Sequence, residues 1–204
     1  MKSKNHKETR KTDNTAYTNR LIKLQTVWWK RLIDVQAPYR WNLQRLNPGF
    51  TLDIGCGIGR NLINLKGKGI GIDHNLDRVK IVRERGLTAF TPAEFKTSSF
   101  NVPHQFDSLL LSHVAEHMTL LEVVELLTEY LHLLKPQGKL ITIAPQEAGY
   151  RSDSTHVEFM NFPNIRKIVR SIDFQILQEY SFPFPRIFGH VFLYNEFVSV
   201  SRKL

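Results

Sequence analysis

Apolar positions follow two rhythms along this chain. From Tyr17 to Val35, Leu21, Leu24, Trp28, Leu32 and Val35 recur at three- and four-residue steps, the stripe of an amphipathic helix. After Pro48-Gly49 the rhythm changes to short apolar runs separated by mixed segments. TLDIG (51–55), GIGID (69–73), LTAFT (87–91), FDSLLLSHV (106–114) and KLITIAP (139–145) predict five strands. Helices are expected from Asn61 to Lys66, from Leu76 to Arg85 and from Leu120 to Leu134. Thr119 and Glu122 spell a capping box ahead of the last of these, and Lys135-Pro136-Gln137-Gly138 ends it. A helix near Asn164–Ser171 and two strands, FQILQEYSF (174–182) and FLYNEFVSVS (192–201), complete the pattern.

Strands alternating with helices at this spacing indicate an α/β fold, because parallel neighbours need long crossovers and those crossovers cover both faces. Leu109-Leu110-Leu111, apolar without alternation, suits a strand buried on both sides. In such an open sheet, ligands lie beyond the carboxyl ends of the strands. The glycine cluster that follows TLDI sits at one of those ends.

Composition narrows the class. The chain has 204 residues, enough for one domain with a proper core. No apolar run approaches the length of a membrane-spanning helix, and the polar, basic start does not read as a signal peptide. Cys56 is the only cysteine, which excludes an internal disulfide or a thiolate zinc cage and suits a reducing cytoplasm. The net charge of +9 points to nucleic acid only until it is mapped. Residues 1–46 hold 11 Lys and Arg against 3 Asp and Glu, leaving 17 against 16 in the remainder. The globular body is thus close to neutral, and a nucleic-acid partner is not expected.

The loop TLDIGCGIGRNL raises the question of its ligand. A phosphate loop of the G-x-x-x-x-G-K-[ST] kind is absent. A dinucleotide fingerprint would need glycine at 60, where Arg60 stands. The pattern present is Asp53-x-Gly55-x-Gly57-x-Gly59, with Asp73 ending the next strand. Glycines let the backbone turn and approach a ligand closely, and an acid at the second strand end can accept both hydroxyls of a ribose. That combination favours a nucleoside without a pyrophosphate.

LDIGCGIGRNL, GIGIDHN, FDSLLLSHVAEHM and LKPQGKLITIAPQ resemble, in order and spacing, the motifs of the class I S-adenosylmethionine-dependent methyltransferases, and are most similar to the small-molecule group. The resemblance runs from Phe50 to Pro145 and implies a Rossmann-like, doubly wound sheet, mostly parallel with an antiparallel last strand. It implies S-adenosylmethionine as cofactor, with Gly55, Gly57 and Gly59 under its methionine part and Asp53 ordering the loop. Asp73 would hold the ribose and His74 would pack beside the adenine. Glu94 and Phe95 would meet the adenine edge, and Ser112 and His113 would border the methionine moiety. Arg40 is a candidate for the cofactor's carboxylate. The family's Asn/Asp-Pro-Pro-aromatic motif is replaced here by Ser-His-Val-Ala, which argues against methylation of bases or protein amides.

His113-Val-Ala-Glu116-His117 matches the letters H-x-x-E-H of a zinc-peptidase motif. That site needs both histidines on an established helix, whereas this segment leaves a buried strand directly, so no metal is expected. A histidine there would instead take a proton from the acceptor, with His117 and His113 as the catalytic candidates. Two irregular segments, 145–162 and 181–192, lie where an acceptor should bind, and supply Arg151, His156 and Arg186; Trp41 joins them from PYRWN. The expected organisation is a basic tail over 1–14, a helical cap and substrate segment over 15–46, and a cofactor domain over 47–204. The leading expectation is methyl transfer to a small or medium-sized acceptor at oxygen. The alternatives are a cofactor-binding protein that docks RNA, a membrane surface or a partner through its basic segment, and a nicotinamide oxidoreductase. A cap accounts better than peripheral membrane contact for Leu21, Leu24 and Leu32, which need burial.

Overall fold

The computed structural model describes residues 34–203, and the chain divides into two units at Val35 and Gln36. The tail over 1–14 and most of the helix expected over Tyr17–Val35 lie outside the described residues. The second unit carries one seven-stranded sheet. Its strands are β1 (Thr51–Ile54), β2 (Gly69–Ile72), β3 (Ala89–Phe90), β4 (Phe106–Ser112), β5 (Leu134–Pro145), β6 (Phe174–Phe182) and β7 (Glu196–Lys203). They lie in the order β3-β2-β1-β4-β5-β7-β6, with β7 antiparallel to both of its neighbours and the pairings among β1–β5 parallel. The doubly wound sheet with an antiparallel last strand is therefore as expected.

Seven helices are described: α1 (Ala37–Arg45), α2 (Arg60–Asn64), α3 (Leu76–Glu84), α4 (Pro92–Lys96), α5 (Leu120–Tyr130), α6 (Glu147–Arg151) and α7 (Phe162–Ser171). The strand β4 shows how they are distributed. Leu109 and Leu111 join a core with Val123 and Leu127 of α5 and Ile165, Ile168 and Val169 of α7. Leu110 joins Leu43 and Leu46 from the α1 region, together with Ile141, Phe182 and Val198. Successive side chains of a strand leave on opposite faces, so one apolar triplet anchors both helical layers. Each fully buried leucine contributes roughly 1.5–3 kcal/mol.

Local signals explain most element ends. Thr119 and Glu122 form the capping box of α5, and Thr91 with Glu94 makes a second one for α4. Asn75 caps α3 by accepting from the amides of Asp77 and Arg78. Four boundaries differ from expectation. The stretch around PYRWN is a helix, opened by Pro38 in its first turn, and its Leu43 is buried with the sheet. The third strand keeps only two residues. The helix from Leu120 ends at Tyr130, and Leu134 already pairs with Phe106, while Lys135 Nζ sits 2.8 Å from Asp107 Oδ1. Long-range pairing thus extends β5 through the segment read as a helix stop. Phe192–Asn195 precede β7 rather than belonging to it.

Candidate active site

The glycine loop leaves β1 and is fastened to β2: the amides of Gly55 and Cys56 donate to the Ile72 carbonyl at 2.8 and 3.0 Å. Gly55 has φ +76, and a Cβ there would lie 2.4 Å from Val114 Cγ2. Gly57 has φ +54, but a Cβ there would meet nothing within 4 Å. The first glycine is required by packing, while the second borders open space. That space lies beyond the carboxyl ends of β1, β2 and β4, where this topology accepts a ligand.

Two acids frame it. Asp73, 2% exposed, accepts from Gly57 N at 2.8 Å and from Asn75 N at 2.9 Å. The buried Arg78 guanidinium stands 3.6 Å away, and His74 Nδ1 is 3.8 Å away with a third of its side chain exposed. Asp53, 1% exposed on β1, is different. Its Oδ1 has one long contact, 3.5 Å from Asn61 Nδ2, and its Oδ2 has no hydrogen-bond partner. Burial raises its pKa to about 7, against the opposing Asn61 hydrogen bond. An orphaned buried carboxylate oxygen beside an open glycine cradle fits a cofactor that carries an ammonium group and a ribose. Burial also pushes the Cys56 thiol up, so the sulfur serves as an apolar filler against Gly71.

Glu94 and Phe95 are placed differently from expectation. The Glu94 carboxylate accepts from Thr91 N and Oγ1 and pairs with Arg83 at 2.9 Å, which holds it at a pKa of about 2. Phe95 is 2% exposed and packs against Phe90 and Tyr130 in the core. The capping box sets this register: Glu94 stands at the third helical position with its side chain still partly exposed, and Phe95 after it is turned into the core.

At the end of β4, Ser112 is buried and His113 turns the chain with φ +57. His113 Nε2 lies 2.8 Å from Glu196 Oε1, and its Nδ1 lies 3.3 Å from Glu116 Oε1. Burial opposes the charge on this ring, but the two carboxylates prevail and hold its pKa at about 9. Both ring nitrogens of His113 thus face carboxylates, which favours the charged ring. Glu116 is 1% exposed; apart from the His113 ion pair, its two carboxylate oxygens have no hydrogen-bond partner.

The segment 115–117 is a short 3-10 turn, not a helix. His117 Nδ1 faces the Thr155 carbonyl at 3.3 Å and the Thr155 hydroxyl at 3.2 Å, and burial lowers its pKa. His156 Nδ1 faces the Tyr150 carbonyl at 2.7 Å, with its ring stacked on Tyr150 and centred 4.9 Å from the His117 ring. The two histidines, 39 positions apart in the sequence, thus come together.

The remaining expected acceptor residues are dispersed. Arg186 is clasped by both carboxylate oxygens of Glu147 and lies 4.8 Å from the centre of the Phe197 ring. Arg151 donates to the His190 carbonyl at 3.1 Å. Trp41 is 58% exposed on α1, under the Arg45 guanidinium at 4.6 Å. Arg40 lies in the same helix. Residues without a local signal also matter. Gln146, fully buried, donates to Ser181 Oγ and the Glu196 carbonyl and accepts from Asn195, tying β5, β6 and β7 together at the site. Tyr39 donates to the Tyr194 carbonyl at 2.9 Å. Both depend on contacts far apart in sequence, which no spacing rule reveals.

Known proteins agree with this geometry. Residues 52–142 match the family model described as a methyltransferase domain. No curated protein matches the sequence. Among solved structures, the chain is similar to a SAM-dependent methyltransferase from Archaeoglobus fulgidus, at 20% identity and a TM-score of 0.62, over 81% of this chain and 93% of that one. It is similar to magnesium protoporphyrin IX methyltransferase from Synechocystis PCC 6803 with bound SAH, at 16% identity and a TM-score of 0.65, over 96% and 98%. It is also similar to a structure described as a complex between the Haloferax volcanii Trm112 methyltransferase activator and a methyltransferase, at 16% identity and a TM-score of 0.69, over 95% and 97%. At these identities the likeness speaks to the fold. No helix among the described residues is long and apolar enough to cross a membrane.

Proposed function

The chain carries a methyltransferase domain over residues 52–142, and we propose that it is a class I S-adenosylmethionine-dependent methyltransferase that methylates a small or medium-sized acceptor at a hydroxyl oxygen. S-adenosylmethionine supplies a methyl group already activated by its sulfonium, so the protein's share is positioning and removal of a proton. Asp73 and the Gly57 turn would hold the ribose side, with His74 beside the adenine. The orphan oxygen of Asp53 would accept from the ammonium group, with Arg40 as the candidate for the carboxylate and Ser112 at the border of the site.

The acceptor's place is carried by one observation: His117 and His156 meet beyond the end of β4, next to the buried Glu116. A hydroxyl that binds there faces side chains able to accept its proton or stabilise its oxygen, with His117 the nearer of the catalytic candidates. Arg151, Arg186 and Trp41, though dispersed over three segments, are kept as acceptor contacts and suit an acceptor with a ring surface and some negative charge. Of the segment read as a cap over 15–46, the α1 portion shares the core of the sheet-bearing unit, and the earlier part lies outside the described residues. A thermal-shift series with S-adenosylhomocysteine, NAD and NADP, followed by a labelled-methyl search in cell extract, tests the reading. Stabilisation by S-adenosylhomocysteine alone and label in a small-molecule fraction are expected. Stabilisation by NAD, or label in RNA or protein, would overturn it.

A further inference from the structure

We infer that Glu116, His117 and His156 form a binding site for one divalent transition-metal ion, zinc foremost, beside the acceptor pocket. One ligand atom from each residue lies within 4.8 Å of the other two. Tetrahedral ligands about 2.1 Å from a zinc ion stand about 3.4 Å apart, so rotamer adjustments close the remaining gap.

Three independent features support the site. First, Glu116 is 1% exposed and Oε2 has neither a hydrogen bond nor an ion-pair contact, while Oε1 faces His113 at 3.3 Å. His113 answers the charge at Oε1, and the buried Oε2 is left as a donor atom without a partner. Second, each histidine directs Nδ1 at a backbone carbonyl, Thr155 for His117 and Tyr150 for His156. Such a contact places the proton on Nδ1 and the lone pair on Nε2, which is how proteins orient metal-bound imidazoles. Third, the backbone fixes the approach of the two segments: the Glu116 carbonyl accepts from Val157 N at 2.7 Å and Glu158 N at 3.2 Å. His156 is therefore delivered to His117 by a docked loop, not by chance proximity of two mobile side chains. The H-x-x-E-H letters acquire a different meaning here. The first histidine pairs with the two glutamates, and the ligand set is Glu116, His117 and the distant His156.

Two histidines and one carboxylate with a fourth position open form a catalytic rather than a structural donor set. The consequence for the reaction rests on the methyltransferase reading. A hydroxyl bound at the open position would release its proton to solvent, and the resulting alkoxide would take the methyl group from the sulfonium, leaving a neutral thioether.

The test reads metal binding without cofactor or acceptor, so it stands or falls separately from the activity. The full chain is stripped with a chelator and titrated with cobalt(II), followed through the visible bands of four-coordinate cobalt, then displaced with zinc. One cobalt per chain is expected, and His156→Ala and His117→Ala should each weaken binding at least about 100-fold. His132→Ala, exposed and near the opposite ends of the strands, should leave binding unchanged. Glu116→Gln should weaken it equally; if that buried change unfolds the chain by circular dichroism, the two histidine variants decide. Absence of stoichiometric cobalt, or binding that survives His156→Ala, overturns the site.

Discussion

Replacing Asp53 by asparagine should strengthen the fold and weaken the cofactor complex, with opposite dependences on the same carboxyl. Asp53 is 1% exposed, and burial lifts its pKa from an ordinary 3.8 to about 7. The folded chain therefore binds this proton more tightly than the unfolded chain. Stability through Asp53 is present below the unfolded value, falls as pH rises towards 7, and is flat above. Asparagine does not titrate. Between pH 5 and pH 7 the aspartate form loses two pH units of linkage, so the variant's advantage should widen by about 2–3 kcal/mol and then hold to pH 8. Urea unfolding of both proteins at pH 5, 7 and 8 reads this directly. Calorimetry with S-adenosylhomocysteine at pH 8 should show the reverse. One charge-assisted hydrogen bond lost is worth about 1.5–3 kcal/mol, or roughly a 10- to 150-fold weaker complex. A stability gap that does not change with pH would refute the raised pKa. Unchanged affinity would refute the orphan oxygen as the ammonium's receptor.

The other predictions separate packing from binding around the same loop. Gly57→Ala should cost about 1–2 kcal/mol for its left-handed backbone yet abolish S-adenosylhomocysteine binding by calorimetry, because its Cβ enters open space. Gly55→Ala should unfold or strongly destabilise the chain in thermal melts, since its Cβ lands 2.4 Å from Val114 Cγ2. Asp73→Ala should lower stability by about 3–5 kcal/mol as well as affinity, because the buried Arg78 loses its carboxylate; melts that match the unsubstituted chain would contradict this. Glu94→Gln should leave cofactor affinity intact and cost up to about 1 kcal/mol through the cap, so a large loss of binding would return Glu94 to the adenine edge. Deleting residues 1–14 should preserve activity, whereas deleting through Val35 should abolish transfer and spare cofactor binding; the opposite pattern would defeat the cap assignment.

The elements were legible because their causes are local. Leu109-Leu110-Leu111 spelled a strand buried on both faces, and Thr119 with Glu122 spelled the start of α5. The glycine loop and the acids at 53 and 73 were legible for the same reason, since a strand, a turn and the next strand end lie within 23 positions. The errors arose where a local rule met a remote partner. Lys135–Gly138 carried the signs of a helix stop, but pairing with Phe106 and Asp107 made it strand. At Glu94 the letters of a capping box and of a binding motif coincide, and the sequence alone did not reveal the cap. The contact of His113 with Glu196, 83 positions on, could not be read from the sequence.

That last pairing links the two halves of the site. A histidine with φ +57 carries a backbone cost of about 1–2 kcal/mol, and such strain persists only where its surroundings over-determine it. Here two glutamates do so, one from β7 and one three residues ahead. The turn they enforce brings the Glu116 carboxylate inside, and the Glu116 carbonyl then captures the amides of Val157 and Glu158. Those hydrogen bonds seat the loop that carries His156. The strand β4 also pairs with β1, whose end opens the glycine turn. A single strained residue therefore sits between the glycine turn and the loop that carries His156. His113→Gln should consequently loosen His156 and Gly57 together in hydrogen exchange, measured as lost protection of the Val157 and Gly57 amides. Loss confined to one of them would show that the glycine turn and the His156 loop are held independently.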